Sequence, residues 1–425
     1  MNNSKSTNKL LDKMMSMAGV VGKLSHVSWI EAIQNGMIAT TAPILIGSIF
    51  LILSIFAQPD LGNSKTALLP FLAPYATQLN IVNSMTLGFV GLYAAYGIAK
   101  SYGEILNVDT TQSGLLGLIS FFFITYSGPD AKSMFSVTFF GTTGLFAAMI
   151  VSLLSVKLYA VFLKHNITIK LPSSVPPKVG STFASLIPMT VVIVVCWSIR
   201  TLANFNFTQW LTTALAPVLN GSDSLWGYTL ITLLVVLLWS IGLNGPAMLG
   251  AIITPITTAD LVANAAAKVA GNPLPHIWTN AFQYSFIWIG AVFPVVIWYI
   301  LSKNKGKRAL GVAAAPALFF NIIEPTMFGS PVAMNPVLMI PFIFNGVVGC
   351  MIGYISVMIG FVARPFAEVP WATPAPFSGV LITGDWKILI VQALVLAVGL
   401  VTYYPFIRMD IENSEKIALK QNMKN

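Results

Sequence analysis

Long apolar runs alternate with short polar segments along the whole chain, and the polar segments carry most of the cations. Clean runs lie near 36–57, 82–101, 113–127, 135–156, 180–202, 225–243, 281–301, 340–363 and 386–407. Several reach the ~20 residues needed to cross a ~30 Å hydrocarbon core. With no water there to bond backbone amides, such a run must be helical or close into a barrel. The pattern therefore predicts an all-α polytopic membrane protein.

The cations give the threading. Lys5, Lys9, Lys13 and Lys23 precede the first run. Lys157, Lys164, Lys170 and Lys178 follow the fourth, Lys303, Lys305, Lys307 and Arg308 follow the 281–301 run, and Arg408, Lys416, Lys420 and Lys424 end the chain. Excess Lys and Arg mark cytoplasmic loops, so both termini are expected inside the cell. The 203–224 loop has neither residue type and is expected outside. Parity then demands a further crossing within 246–272, although Asp260, Asn264 and Lys268 make that stretch only weakly apolar. It also demands that 309–339 enter and leave on one side, as a re-entrant hairpin does. The expectation is about ten crossings with at least one re-entrant hairpin, at 309–339.

One segment carries candidate chemistry. Residues 316–341 place Glu324 among apolar residues, with Asn321 and Asn335 nearby and Pro325, Pro331, Pro336 and Pro341 interrupting any helix. A charge at the bilayer centre costs ~2.5–3.5 kcal/mol even on the lenient insertion scales. Broken backbone at that depth survives where it lines a cavity or is buried in protein. Together these features describe a polar-solute site at membrane depth. The plainer alternative is a kinked spanning helix in which Glu324 pairs with a neighbouring amide. The clean runs of 1–205 read as an amino-terminal scaffold and dimerisation half of about five spans. The broken segments of 206–425 read as the transport half.

Composition narrows the classes. Hydrophobic residues are 56% of the chain and charged ones 9%, against ~25% charged in soluble proteins. The net charge of +9 lies in loops between apolar runs, so nucleic-acid binding is excluded and membrane lipid is the expected surround. Cys196 and Cys350 sit inside apolar runs with no ligand spacing. No metal site and no cofactor are expected. His276 is expected to serve packing. Trp239, Trp278, Tyr284, Trp288 and Trp371 offer flat faces on which a ligand could stack, although membrane aromatics are more often anchors.

Six strings then resemble, in order, the membrane-spanning IIC component of the sugar phosphotransferase system, in its lactose/cellobiose/diacetylchitobiose group. NGMIATTAPILIGSI at 35–49 is similar to the family's first span, FGTTGLFAAMI follows at 140–150, and KLPSSVPPKVGSTFASLIP at 170–188 is similar to its linking loop. NIIEPTMFGSPVAMNP matches the stretch around the family's substrate-binding glutamate, and WATPAPFSGVLITGDW at 371–386 and YYPF at 403–406 complete the series. The resemblance implies a dimer in the bacterial cell membrane, with ten spans and two re-entrant hairpins near 244–272 and 309–339, whose carboxy-terminal half binds a sugar, a β-linked disaccharide or β-glucoside being the usual cargo. It implies a phosphorylated cytoplasmic IIB protein as partner, with IIA, HPr and enzyme I upstream. Sugar contacts are then expected at Asn244, Gly245, Asn321, Glu324, Asn335 and Trp371, with Glu324 at the reacting hydroxyl.

Two places depart from the family. Gly242–Leu243–Asn244–Gly245 stands where the family has Gly-Ile-His-Gly, and IGAVF at 289–293 replaces a Gly-Gly-Ser-Gly-type stretch. Asn244 can donate and accept hydrogen bonds but cannot take a proton near neutrality. A secondary transporter moving its solute unchanged is the alternative this favours, and a non-transporting sensor is a weaker one. A lipid-modifying enzyme would need a denser cluster of ionisable groups than the chain carries.

Overall fold

The computed structural model describes residues 27–58, 67–128, 134–169, 171–172, 176–329 and 332–422. Lys5, Lys9, Lys13, Lys23, Lys170, Pro331 and Lys424 lie outside the described residues. Helices account for nearly all of the described chain, and no strand is present among the described residues. Among the described residues eight helices are long and apolar enough to span a membrane, and two more, Thr110–Thr125 and Leu225–Ser240, are apolar but shorter.

The amino half comprises α1 (Ser28–Ala39), α2 (Thr41–Phe56), α3 (Ala76–Thr86), α4 (Val90–Ile105), α5 (Thr110–Thr125), α6 (Thr142–Lys164) and α7 (Pro177–Trp197). Its centre is α4, which packs against α1, α5 and α6. Small residues allow this: Ala94, Ala95 and Ala99 on α4 are fully buried, and Ser152 on α6 donates to the Ala95 carbonyl at 2.9 Å.

The second half comprises α8 (Phe207–Ser222), α9 (Leu225–Ser240), α10 (Gly245–Val269), α11 (Asn280–Ala291), α12 (Phe293–Ile300) and α13 (Lys305–Phe319). It continues with α14 (Pro336–Met358), α15 (Ala375–Thr383) and α16 (Ile388–Asn422). Here α11 is central, touching α14, α15 and α16. Phe282, Phe286 and Trp288 of α11 join one continuous core running from α9 to α16. That core also takes Ile44, Leu51, Ile52 and Ile55 from α2, so the second helix of the chain packs with the half it does not belong to by sequence.

Starts are marked by capping side chains. Asp109, Ser224, Asn244, Thr279, Asn304 and Asn335 each accept from the backbone of the first helical turn, which relieves at least one orphan donor per helix.

Two segments differ from the sequence expectation. The 203–224 loop contains the helix α8, whose Thr-rich polar face lowered its hydropathy below that of a spanning run. Within 244–272 the chain forms one unbroken 25-residue helix, Gly245–Val269, in keeping with the parity argument for a crossing and without the expected hairpin turn. Its polar residues are sheltered by protein: Asp260 and Asn264 are buried, and α10 packs against α1 and α6 as well as α9. Residues 305–335 do turn back. The helix α13 ends at Phe319, the chain reverses through 320–324, and a single π-turn, Pro325–Gly329, leads toward α14.

Candidate functional site

Glu324 lies at that reversal. Its side chain is exposed, on a turn whose flanks are anchored. Asn321, three residues earlier, adopts φ +60°, a left-handed conformation that Asn tolerates better than most residues. The Asn321 side chain is 4% exposed, and its Nδ2 donates to the carbonyls of Trp371 at 3.1 Å and Thr373 at 2.7 Å. One amide thus ties the Glu324 turn to the segment that carries Trp371, whose ring is largely exposed.

The Asn244 turn is brought to the same place from the other side. Gly242 has φ +83° and lies beside Phe328, which would sit 3.6 Å from a Cβ added there. Met334 donates its N–H to the Ser240 carbonyl at 2.8 Å, and the Phe328 ring contacts Trp239 at 6.3 Å. Trp239 packs edge-on against Trp288, which contacts Tyr284 in turn. Asn244 itself is exposed, and its Oδ1 caps α10 by accepting from the Ala247 N–H at 3.0 Å. Its Nδ2 has no hydrogen bond among the described residues. Gly245 has a steric role: a Cβ there would come within 2.4 Å of the Val235 carbonyl oxygen, so only glycine lets α10 start this close to α9.

Three buried polar atoms in this region have no partner among the described residues: Asn321 Oδ1, Thr326 Oγ1 and Trp239 Nε1. A buried unpaired polar atom costs ~1–3 kcal/mol, so three around one carboxylate turn mark a place built for polar company. Thr326 and Trp239 Nε1 extend the set of six sequence candidates. Thr326 was hidden in the sequence because one hydroxyl among apolar residues has no pattern of its own.

Asn335 goes elsewhere. Its Oδ1 caps α14 through the Val337 and Leu338 N–H groups, and its Nδ2 donates to Asp410 Oδ1 at 3.0 Å. Asp410 Oδ2 in turn holds Lys307 Nζ at 2.5 Å and accepts from the Tyr299 hydroxyl at 2.6 Å. Lys307 and Asn335 flank the 305–335 excursion, so this buried cluster clamps both of its feet to α12 and α16.

A small cavity of about 80 Å³ adjoins the Asn244 turn, lined among others by Pro246, Thr254, Asn280, Gln283 and Tyr284. Water occupies ~30 Å³ per molecule in the liquid, so the cavity has room for very few. Larger cavities of about 640 and 490 Å³ lie in the amino half and between α3 and α10, away from Glu324.

The sequence profile described as "Phosphotransferase system, EIIC" matches residues 34–346. The lichenan permease IIC component of Bacillus subtilis is 33% identical, over 94% of this chain and 92% of its own. The cellobiose-specific EIIC component of Geobacillus stearothermophilus is 33% identical, over 97% and 95%. The lactose-specific EIICB component of Streptococcus mutans is 29% identical over 91% of this chain, which spans 70% of that longer protein. Among solved structures, the transporter ChbC, the IIC component of the N,N'-diacetylchitobiose-specific phosphotransferase system, superposes with a TM-score of 0.85. It is 32% identical, over 95% of this chain and 98% of that one. This multi-pass membrane protein belongs to the EIIC family of the bacterial phosphotransferase system, whose members work with a sugar and a IIB partner.

Proposed function

We propose that the chain imports a β-linked disaccharide or β-glucoside and presents one sugar hydroxyl to a phosphorylated cytoplasmic IIB protein, itself charged through IIA, HPr and enzyme I. The carrying observation is the exposed Glu324 carboxylate set on a clamped turn, with Asn321 Oδ1, Thr326 Oγ1 and Trp239 Nε1 unpartnered around it. A sugar supplies hydroxyls that can donate to the exposed Glu324 carboxylate, and donate to or accept from the three enclosed atoms once the site opens. The cargo class rests on the lichenan, cellobiose and lactose names of the relatives and the diacetylchitobiose name of the solved neighbour.

In this reading Glu324 accepts the proton of the hydroxyl as its oxygen attacks phosphorus. The new O–P bond forms while the bond from phosphorus to the IIB residue breaks. Such transfer depends mostly on in-line placement, and the Asn321 bridge and the Asn335–Asp410–Lys307 clamp supply it by fixing the turn. Asn335 is therefore a positioning residue. Asn244 contributes its free Nδ2 as a donor to the sugar, and the exposed Trp371 ring offers a stacking face. Gly245 lets the Asn244 turn approach. The cavity beside Asn244 is far smaller than the ~300 Å³ or more of ordinary ligand pockets, so transport includes a movement that widens it.

We further place both termini, the 157–178 loop and the 303–308 loop in the cytoplasm. The 305–335 excursion is then a hairpin entering from that side, and two chains pair through the 1–205 half. The deciding experiment measures uptake of labelled β-glucosides into vesicles, with and without phosphorylated IIB. Trapping of phosphorylated sugar only with phosphorylated IIB supports the reading. Accumulation of unmodified sugar driven by an ion gradient alone refutes it.

A further inference from the structure

A second polar cluster lies at the Asn280 end of α11, the end away from Lys303. Asp223 stands between α8 and α9, Asp260 lies on α10, and His276 is in the segment leading to α11. His276 Nδ1 is 3.1 Å from Asp223 Oδ2 and 3.3 Å from Asp260 Oδ1. One donor atom from each residue falls within 4.8 Å of the other two. Sequence spacing hid the group, because its members come from three separate segments.

We propose that Asp223, Asp260 and His276 form a binding site for a divalent transition-metal cation of the zinc type. The donor set of one imidazole and two carboxylates is one that zinc accepts, with bonds of ~2.0–2.2 Å. Four donors at that distance in a tetrahedron lie about 3.3–3.6 Å apart, close to the two separations from the imidazole nitrogen. The second observation is Asp260 itself. It is 2% exposed, and its Oδ2 has no hydrogen-bond partner among the described residues, while its Oδ1 faces the imidazole. A buried carboxylate oxygen without a partner is costly, and a cation bound by Asp260 removes that cost. Two carboxylates and a neutral imidazole also balance a +2 ion.

The surroundings hold the three donors in place. Asp223 accepts the N–H groups of Ile277 and Trp278, and Tyr354 donates to its backbone carbonyl at 2.7 Å. Asn264, one turn along α10 from Asp260, accepts the His276 N–H and donates to the His276 and Pro365 carbonyls. Arg364, the nearby cation, is drawn to the Leu274 and Pro275 carbonyls instead of the carboxylates. For Nδ1 to ligate, the ring proton must sit on Nε2, so binding releases any proton held on Nδ1. The ion would fasten the α8–α9 junction, α10 and the approach to α11 together, independently of Glu324 and its sugar.

The test uses the full chain in detergent, purified without a polyhistidine tag and stripped with chelator. Equilibrium dialysis against Zn²⁺ should give one-to-one binding, and Co²⁺ should develop the visible ligand-field bands of a low-coordinate site. Asp260→Asn and His276→Gln should each weaken Zn²⁺ binding by at least ~100-fold, at or beyond the 10–100-fold loss seen when outer partners of a metal ligand are changed. Zn²⁺ should raise the unfolding temperature of the native chain only. Absence of stoichiometric Zn²⁺ and of the Co²⁺ bands in the folded native chain overturns the proposal, leaving a proton-bridged Asp–His–Asp cluster, and that readout stands even where a variant fails to fold.

Discussion

The helix run Val179–Leu202 and the helix run Asn280–Ile300 are equally plausible membrane spans by sequence, yet they meet different surroundings. Of their most apolar stretches, 22% is buried within the protein in the first and 78% in the second. The first presents Val194, Val195, Trp197 and Leu202 outward, as a lipid-facing or subunit-facing helix does. The second is enclosed, and buried polar groups such as Gln283 and Ser285 find partners on it. Hydropathy reports only that a helix avoids water. It does not distinguish lipid from protein as the refuge, and function gathers where the refuge is protein, because only there can polar groups be paired.

The strongest way to break this contrast is at Glu324. Glu324→Gln should lower sugar phosphorylation by ~10²–10⁴-fold, the range for loss of a general base. Sugar binding should weaken by ~1.5–3 kcal/mol, the scale of a hydrogen bond to a charged group. Assays with phosphorylated IIB in vesicles read both, and unchanged values would return the carboxylate to a structural role.

Next comes the clamp. Lys307 and Asp410 are 9% and 7% exposed, and removing one member of a buried ion pair costs ~3–5 kcal/mol. Asp410→Asn should therefore lower the unfolding temperature in detergent and slow phosphoryl transfer together. Lys307→Met with Asp410→Leu should recover stability better than transfer, since Asn335 still lacks its acceptor. A variant losing neither would show that the feet of the turn need no fastening.

Asn321 sharpens the comparison within the site. Asn321→Ala removes two hydrogen bonds worth about 0.5–1.5 kcal/mol each and places a less tolerant residue at positive φ. Asn321→Gly keeps the backbone freedom and removes only the amide. Sugar affinity that falls alike in both assigns the effect to the amide bridge to Trp371 and Thr373. A fall in Ala alone assigns it to the backbone.

The smallest effect concerns Glu368, in the segment between α14 and α15. Burial raises its carboxyl to about 8, opposed by the Ala281 N–H that donates to it. A carboxyl whose folded value lies above its unfolded one stabilises the fold at low pH, and that contribution is lost as pH rises from ~4.5 toward 8. Thermal stability should decline across that window in the native chain, and the decline should flatten in Glu368→Gln. Parallel curves for the two proteins would remove Glu368 as the cause.

The number of apolar helices was legible in the chain, because a period of apolar runs survives any tertiary arrangement. So was the turn at Glu324, since clustered prolines break a spanning helix, although the carboxylate itself is exposed on that turn and not enclosed. Asn335 was less legible. Its proximity to Glu324 in sequence concealed that its partner, Asp410, lies on the last helix. The helix α8 was missed because its Thr and Asn residues depress hydropathy, while Thr326 and the Asp223–Asp260–His276 cluster were missed because single residues from separate segments leave no periodic trace.

The last helix has a mechanical consequence. At ~1.5 Å per residue the 35 residues of Ile388–Asn422 form a rod about 52 Å long, against a hydrocarbon core of ~30 Å. A substantial length must project past the core, and Asp410 lies toward the end of the rod where Arg408 and the later cations stand. Torque applied to that projection is delivered first to the Asp410–Asn335–Lys307 clamp, and through it to the stretch of chain bearing Glu324.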